Sequence, residues 1–166
     1  EVADARIERL GLRIRPGTDF ELVNPDSDSR FREYWSAYYD IMQRKGVSQD
    51  QAKLEMRRRS TLIGAMLLRQ EEADAMLCGT VGTYQRHLGV VADVIGRRDG
   101  VRSFATMNLL LLPKRIVFIC DTYVNVDPSA EQVAEMTMLA AEEVRRFGLL
   151  PRVALLSHSS FGSADA

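Results

Sequence analysis

The sequence is short of several things. Among its 166 residues there are two cysteines, two histidines, one tryptophan and five prolines. Two thiols make no disulfide framework. Cys78 and Cys120 sit in apolar segments, which predicts buried, reduced thiols in a cytoplasmic protein. His87 and His158 lack metal-ligand spacing with each other or with the cysteines, which argues against a zinc centre. Positive charge is not in excess: 22 Lys+Arg stand against 23 Asp+Glu, for a formal net charge of -1. A general nucleic-acid binder needs that excess to displace counterions from phosphates. No apolar run approaches the roughly 20 residues of a membrane span. The opening Glu1-Val2-Ala3-Asp4-Ala5-Arg6 is neither a signal nor a transit peptide. A dinucleotide fingerprint and a P-loop are both missing, since Gly79-Thr80-Val81-Gly82 is too short and has no lysine. Neither nucleic acid nor membrane is expected as a partner.

What is present fits an ordinary globular domain, 46% hydrophobic and 27% charged, long enough to bury a core. Val2, Ile7 and Leu10 lie near helical spacing before Gly11, predicting a helix over 2–10. Phe20-Glu21-Leu22-Val23 alternates like a short strand. Phe31, Tyr34, Trp35, Tyr38, Ile41 and Met42 recur at three and four, predicting a helix over 29–44. Ser48 with Gln51 three residues on has the form of a capping box. The helix it opens is predicted to run to about Arg69, with Leu54, Ile63, Met66 and Leu67 facing inward. Gly64 inside it costs roughly 1 kcal/mol against alanine, which points to a close packing contact.

Near residue 73 the pattern changes. Ala75-Met76-Leu77-Cys78 is a continuous apolar run of the kind found in buried parallel strands. Residues 81–95 read as a helix, 104–112 and 116–120 as two strands around a Pro113-Lys114-Arg115 turn. Asp127 is placed to cap a helix over 128–147, with Pro128 at its first position. Its inner stripe is Val133, Met136, Ala140, Val144 and Phe147. Val153-Ala154-Leu155-Leu156 is then a second buried strand. Strand 116–120, this helix and strand 153–156 make a βαβ unit, right-handed by the general rule.

Ligands of open α/β sheets bind at the carboxyl ends of parallel strands. Three such ends follow from the pattern: 78–83, 121–125 and 157–163. All are rich in small residues and hydroxyls, which let a ligand approach the backbone and suit an anion. Small polar residues also follow strands simply because turns need them. Asp121 and Asn125 are expected to tie down their loop. Arg57, Arg58 and Arg59 are expected to be mainly solvated, because three adjacent helical positions cannot face one ligand. Cys78 reads as a packed thiol, since no base is placed beside it.

The same segments carry a resemblance. Ala73-Asp74-Ala75-Met76-Leu77-Cys78-Gly79-Thr80, Asp121-Thr122-Tyr123-Val124-Asn125, Ala130-Glu131-Gln132 and Arg152-Val153-Ala154-Leu155-Leu156-Ser157 resemble the phosphate acetyl/butyryltransferase superfamily. Three further stretches are Ser157-His158-Ser159-Ser160-Phe161-Gly162-Ser163, Phe31-Arg32-Glu33-Tyr34-Trp35 and Ala105-Thr106-Met107-Asn108-Leu109-Leu110-Leu111-Leu112-Pro113. They are similar to the C-terminal phosphotransacetylase-like domain of multidomain bacterial NADP-dependent malic enzymes. The resemblance covers essentially the whole chain.

It implies an α/β fold with three αβα layers, a mostly parallel sheet and two lobes. Residues 1–72 would be part of the first lobe and 73–166 part of a second, inserted one. The chain would be an interior piece of that domain. The parent reaction would be oxidative decarboxylation of malate to pyruvate and CO2, with NADP and a divalent metal (Mg or Mn) held upstream of this chain. The domain would sense acetyl-CoA and dimerise, working with the malic catalytic domain of the same protein and within a higher oligomer. Thr80, Thr83, Ser157, Ser159, Gly162 and Ser163 would be its contacts to acetyl-CoA or phosphate. Active phosphate acetyltransferases carry Arg-Pro in the helix after the first strand end; here Gly89-Val90 stands there. They carry lysine in the serine-rich loop; here Phe161 stands there. A guanidinium pairs bidentately with an acyl phosphate and glycine cannot, so the expected domain is regulatory rather than catalytic. The alternatives are an active phosphate acetyltransferase and a pure assembly scaffold.

Overall fold

Aromatic and apolar side chains at three- and four-residue spacing fold into α2 (Phe31–Met42), which buries Tyr34, Tyr38 and Met42. The computed structural model describes residues 2–156, in two compact units, Glu1–Gly96 and Arg97–Ala166. The boundary between them lies later in the chain than the change of pattern near residue 73.

The first unit is helical. α1 (Val2–Arg9) has no buried residue. A 3-10 turn over Gln43–Lys45 ends α2, and Gly46 closes it at φ +88°, a conformation open to glycine. Ser48 then opens α3 (Gln49–Arg58) with the anticipated capping box, its Oγ accepting the Gln51 N–H while the Gln51 side chain accepts the Ser48 N–H. The long helix expected after it is two. Arg59 is extended, at φ −119° and ψ 95°, and α4 (Ser60–Arg69) starts beyond it. In one continuous helix Thr61 and Ala65 would lie roughly opposite Ala52, at about 100° per residue. The break lets all three be buried. α4 buries Thr61, Leu62, Ile63, Ala65 and Met66 and is the unit's most enclosed helix. Leu54, expected inside, is 45% exposed; Ala52 and Met56 supply the buried face of α3. The close contact anticipated at Gly64 is present: a Cβ there would lie 2.6 Å from Met76 Sδ. α5 (Tyr84–Val94) completes the cluster with Val90 and Val94.

Residues 20–23 are not a strand. A lone bridge between Pro16 and Phe20 is all the pairing there. The segment is tied down instead by Arg30, whose guanidinium donates to Asp28, Glu21 and Glu72. The apolar run 75–78 is irregular too, and its Leu77 is fully exposed. A strand is stable only beside a neighbour that takes its backbone hydrogen bonds, and these segments have none among the described residues.

The second unit holds the sheet. β1 (Met107–Leu112) pairs antiparallel with β2 (Arg115–Cys120) in the register Met107↔Cys120 to Leu112↔Arg115, across the two-residue loop Pro113-Lys114. The two adjacent strands in the sequence are thus a hairpin. α6 (Ala130–Arg146) packs on β2, with Phe118 and Phe147 rings 5.6 Å apart. It begins at Ser129 rather than Asp127, in a second capping box with Gln132. The Ser-x-x-Gln pair satisfies two orphan N–H groups reciprocally. Within its predicted stripe Met136 is buried, whereas Phe147 is 57% exposed. Val153–Leu156 forms no strand and is exposed, so the expected βαβ unit is not made by the described residues.

Burial of the thiols is also corrected. Cys78 and Cys120 are free and exposed. Both lie at the ends of runs expected to be sheet interior, and the neighbours that would cover them are not among the described residues. Partial burial and then the Asp121 carboxylate push the Cys120 thiol up, which lowers its thiolate fraction. A maleimide at neutral pH is therefore expected to label both cysteines of the native protein, Cys78 faster. Mass mapping of the labelled peptides at early times checks the order, and equal rates would contradict it.

Candidate functional site

Two described loops hold the polar residues singled out from the sequence. Each belongs to its own unit. The first runs from Cys78 to Thr83 and ends as the N-cap of α5. Gly79 and Gly82 hold φ +111° and +103°, which L side chains rarely adopt. Between and beyond them Thr80 and Thr83 are exposed. Thr83 is extended, at φ −91° and ψ 152°, and its side chain makes no capping bond to the helix. The loop thus offers hydroxyls beside a helix N-terminus, whose partial positive charge favours an anion.

His87 anchors this loop. Its Nδ1 lies 2.7 Å from Thr61 Oγ1 on α4, and its Nε2 lies 2.9 Å from the Val81 carbonyl oxygen. A carbonyl only accepts, so Nε2 carries the proton, and in the neutral ring Nδ1 accepts from the Thr61 hydroxyl. In the sequence alone His87 stands out only as a candidate metal ligand. The missed signal was position: a side chain in the first turn of a helix leans toward the N-terminus and overhangs the preceding loop.

The second loop, 121–125, is closed by Asp121. Its Oδ1 accepts from the Thr106 N–H at 3.1 Å, the Thr106 hydroxyl at 2.7 Å and the Val124 N–H at 3.4 Å. Its Oδ2 accepts from the Asn125 N–H at 2.8 Å and Asn125 Nδ2 at 2.6 Å. Asn125 Nδ2 also reaches the Phe104 carbonyl at 2.8 Å. Thr122 Oγ1 lies 3.2 Å from Thr106 Oγ1 and donates to Asn108 Oδ1 at 3.1 Å. Burial pushes the Asp121 carboxyl up, but the bonds from Thr106 and Asn125 outweigh it and bring it down to about 2. Asp121 and Asn125 therefore do tie down their loop. Thr106 was missed, although the hairpin register extends to set it opposite Asp121.

The third expected strand end, with Ser157, Ser159, Gly162 and Ser163, lies outside the described residues. The arginine run is divided as its geometry requires. Arg57 stacks over the Phe31 ring at 5.1 Å and pairs with Asp26, Arg59 pairs with Glu55, and Arg58 is exposed. Gly89 is exposed on α5, and a Cβ there would meet nothing within 4 Å. No group of three or more His, Cys, Asp or Glu among the described residues could hold a metal ion, and no described helix is long and apolar enough to cross a membrane.

Comparison with known proteins sets this geometry in context. The profile of the family described as Phosphate acetyl/butaryl transferase matches residues 1–166. The chain is 57% identical to the NADP-dependent malic enzyme of Escherichia coli (strain K12) over 99% of its own length and 22% of that protein's. It is 46% identical to the NAD-dependent malic enzyme of Rhizobium meliloti, over 100% of the chain and 22% of that protein. It is 33% identical to the phosphate acetyltransferase of Nitratidesulfovibrio vulgaris, over 96% and 22%. The chain thus spans about a fifth of the length of these relatives. The EutD phosphotransacetylase from Staphylococcus aureus superposes with a TM-score of 0.80 at 22% identity, over 98% of this chain and 48% of that one. That likeness shows an α/β phosphotransacetylase-like fold.

Proposed function

The chain belongs to the phosphate acetyl/butaryl transferase family, and from that premise we propose that it serves within a malic enzyme as a regulatory domain that senses acetyl-CoA and joins subunits. The observation that carries this reading is the gap in identity, 57% to a malic enzyme against 33% to a phosphate acetyltransferase over nearly the same residues. Gly89 supports it. The α5 surface has room for a side chain there, yet the residue supplies no cation for an acyl phosphate. A fold can persist after its chemistry is gone.

In this reading the malic portion of the full-length protein binds NADP and the divalent metal and oxidises malate. Thr80 and Thr83 contact acetyl-CoA. Binding alters malate turnover only insofar as acetyl-CoA prefers one state of the enzyme. A coupling of about 1–3 kcal/mol corresponds to roughly 5- to 150-fold. Exposed Leu109, Leu111 and Ile116 on the hairpin would be covered in part by a second subunit. Calorimetric titration of the full-length protein with acetyl-CoA, beside an acetyl phosphate assay and a malate assay, tests this. Expected are a binding isotherm, lowered malate turnover and no acetyl transfer. Acetyl transfer at about 1 per second or faster, an ordinary enzyme rate, would make it a phosphate acetyltransferase instead. An absence of heat at millimolar ligand would leave a scaffold.

A further inference from the structure

We infer that His87 is a positioning residue that holds the Gly79–Thr83 loop to the helical core, and so sets where Thr80 and Thr83 stand. One ring spans two elements. Nδ1 is 2.7 Å from Thr61 Oγ1, and Nε2 is 2.9 Å from the Val81 carbonyl oxygen. Thr61 is the buried polar residue among the described ones, 7% exposed on α4. Its position is fixed by its neighbours Leu62, Ile63, Ala65 and Met66, all in the core. Val81 is the opposite case, 84% exposed and outside the buried cluster. The imidazole therefore transfers the rigidity of α4 to a segment that lacks its own.

The backbone on either side shows how specific the arrangement is. Gly79 and Gly82 take positive φ, so the loop's path depends on conformations that other residues rarely adopt. A Cβ at Gly82 would approach His87 Nε2 to 3.3 Å, so the ring lies directly against the loop backbone. Glycine-rich backbone pays the largest entropy on ordering, and two hydrogen bonds from one ring offset part of that cost. The bond to Thr61 counts most, because losing it leaves a buried hydroxyl without this partner. An acceptor and a donor on one side chain are what this place requires. A neutral imidazole has them, a carboxamide has them, and a phenyl ring has neither.

The functional consequence rests on the reading of Thr80 and Thr83 as ligand contacts; the positioning itself does not. The test separates them. In the full-length protein, the initial rate of cleavage within residues 79–83 by a protease that cuts after small aliphatic residues is measured without ligand for wild type, His87→Phe, His87→Gln and Thr61→Val, by mass mapping of the first fragments. Acetyl-CoA affinity of the same proteins is measured by calorimetry. Loss of both bonds in His87→Phe is expected to speed nicking of the loop by about tenfold or more, with cleavage elsewhere in the first unit unchanged. Thr61→Val is expected to give an intermediate increase and His87→Gln to restore slow nicking. Acetyl-CoA affinity is expected to fall by about tenfold in His87→Phe and to recover in His87→Gln. Unchanged loop nicking in His87→Phe, or no recovery in His87→Gln, overturns the positioning role. Restored slow nicking with affinity unaltered throughout keeps the positioning role and removes Thr80 and Thr83 from the ligand site. If acetyl-CoA does not bind the wild type, the proposed function fails, and the proteolysis arm still decides the role of His87.

Discussion

Replacing Asp121 by alanine should cost about 3 kcal/mol or more and loosen the second unit selectively. The Thr106, Val124 and Asn125 N–H groups, the Thr106 hydroxyl and the Asn125 amide all lose an acceptor at once. Each orphaned, partly buried donor costs on the order of 1–3 kcal/mol, discounted here because water reaches part of the loop. The loss is large against what holds this unit, where Met136 and Ala141 are the buried residues among those described. Asparagine would be no remedy, since its NH2 would face donors. The pH dependence has a definite sign. The Asp121 carboxyl stands at about 2 in the fold against 3.8 without it. A depressed carboxyl contributes stability above its unfolded value, and that contribution is lost as pH falls from about 4 toward 2. Hydrogen exchange over residues 104–125 at neutral pH measures the substitution, and unfolding between pH 5 and 2 measures the titration. Wild type should weaken across that window more than Asp121→Ala. A neutral substitution, or parallel acid profiles, would show the network to be incidental.

The legible parts of the fold were those decided by local chemistry. Ser48 and Gln51 close a box within one helical turn, and Met42, Tyr38 and Tyr34 share one face of α2 whatever lies opposite. The hairpin needed only a turn and two apolar runs. Parallel strands are different. Ala75–Cys78 and Val153–Leu156 have the composition of sheet interior, yet a strand exists only through a partner's backbone, and composition does not say whether the partner is at hand. Burial of Cys78 and Cys120 failed for the same reason, because it had been read from adjacent apolar residues and not from a covering element. The break at Arg59 left only a faint mark, the poorer helix formers Ser60 and Thr61 after a run of good ones. The facing demands of Ala52 and Thr61 reveal it only once the core is known. At the candidate site the loop residues were found by the small and hydroxyl residues that follow apolar runs. The side chains that fix them, His87 and Thr106, reach across from other segments and leave little local mark.

Met66→Ala should be among the most damaging substitutions in the first unit, at about 2–5 kcal/mol. Met66 is fully enclosed, in a cluster with Tyr34, Tyr38, Ala52, Met56, Leu62 and Val94. Those residues come from α2, α3, α4 and α5, so the cavity left by truncation would open where four helices meet, and no one helix can shift to fill it without losing contacts to the others. An unbranched thioether fills such an irregular gap well, and alanine keeps the helix propensity high, so the cost isolates packing from backbone preference. Leu54→Ala removes a similar apolar volume from the same bundle, but Leu54 is 45% exposed and its loss should stay within about 0.5 kcal/mol. Trp35, the chain's one tryptophan, packs against the cluster, so its fluorescence during urea unfolding reports on this unit. A midpoint shift for Met66→Ala several times that for Leu54→Ala is the expected result. Equal shifts would set Leu54 on the inward face beside Met66, as the sequence pattern has it, and would contradict the exposed position of Leu54 on α3.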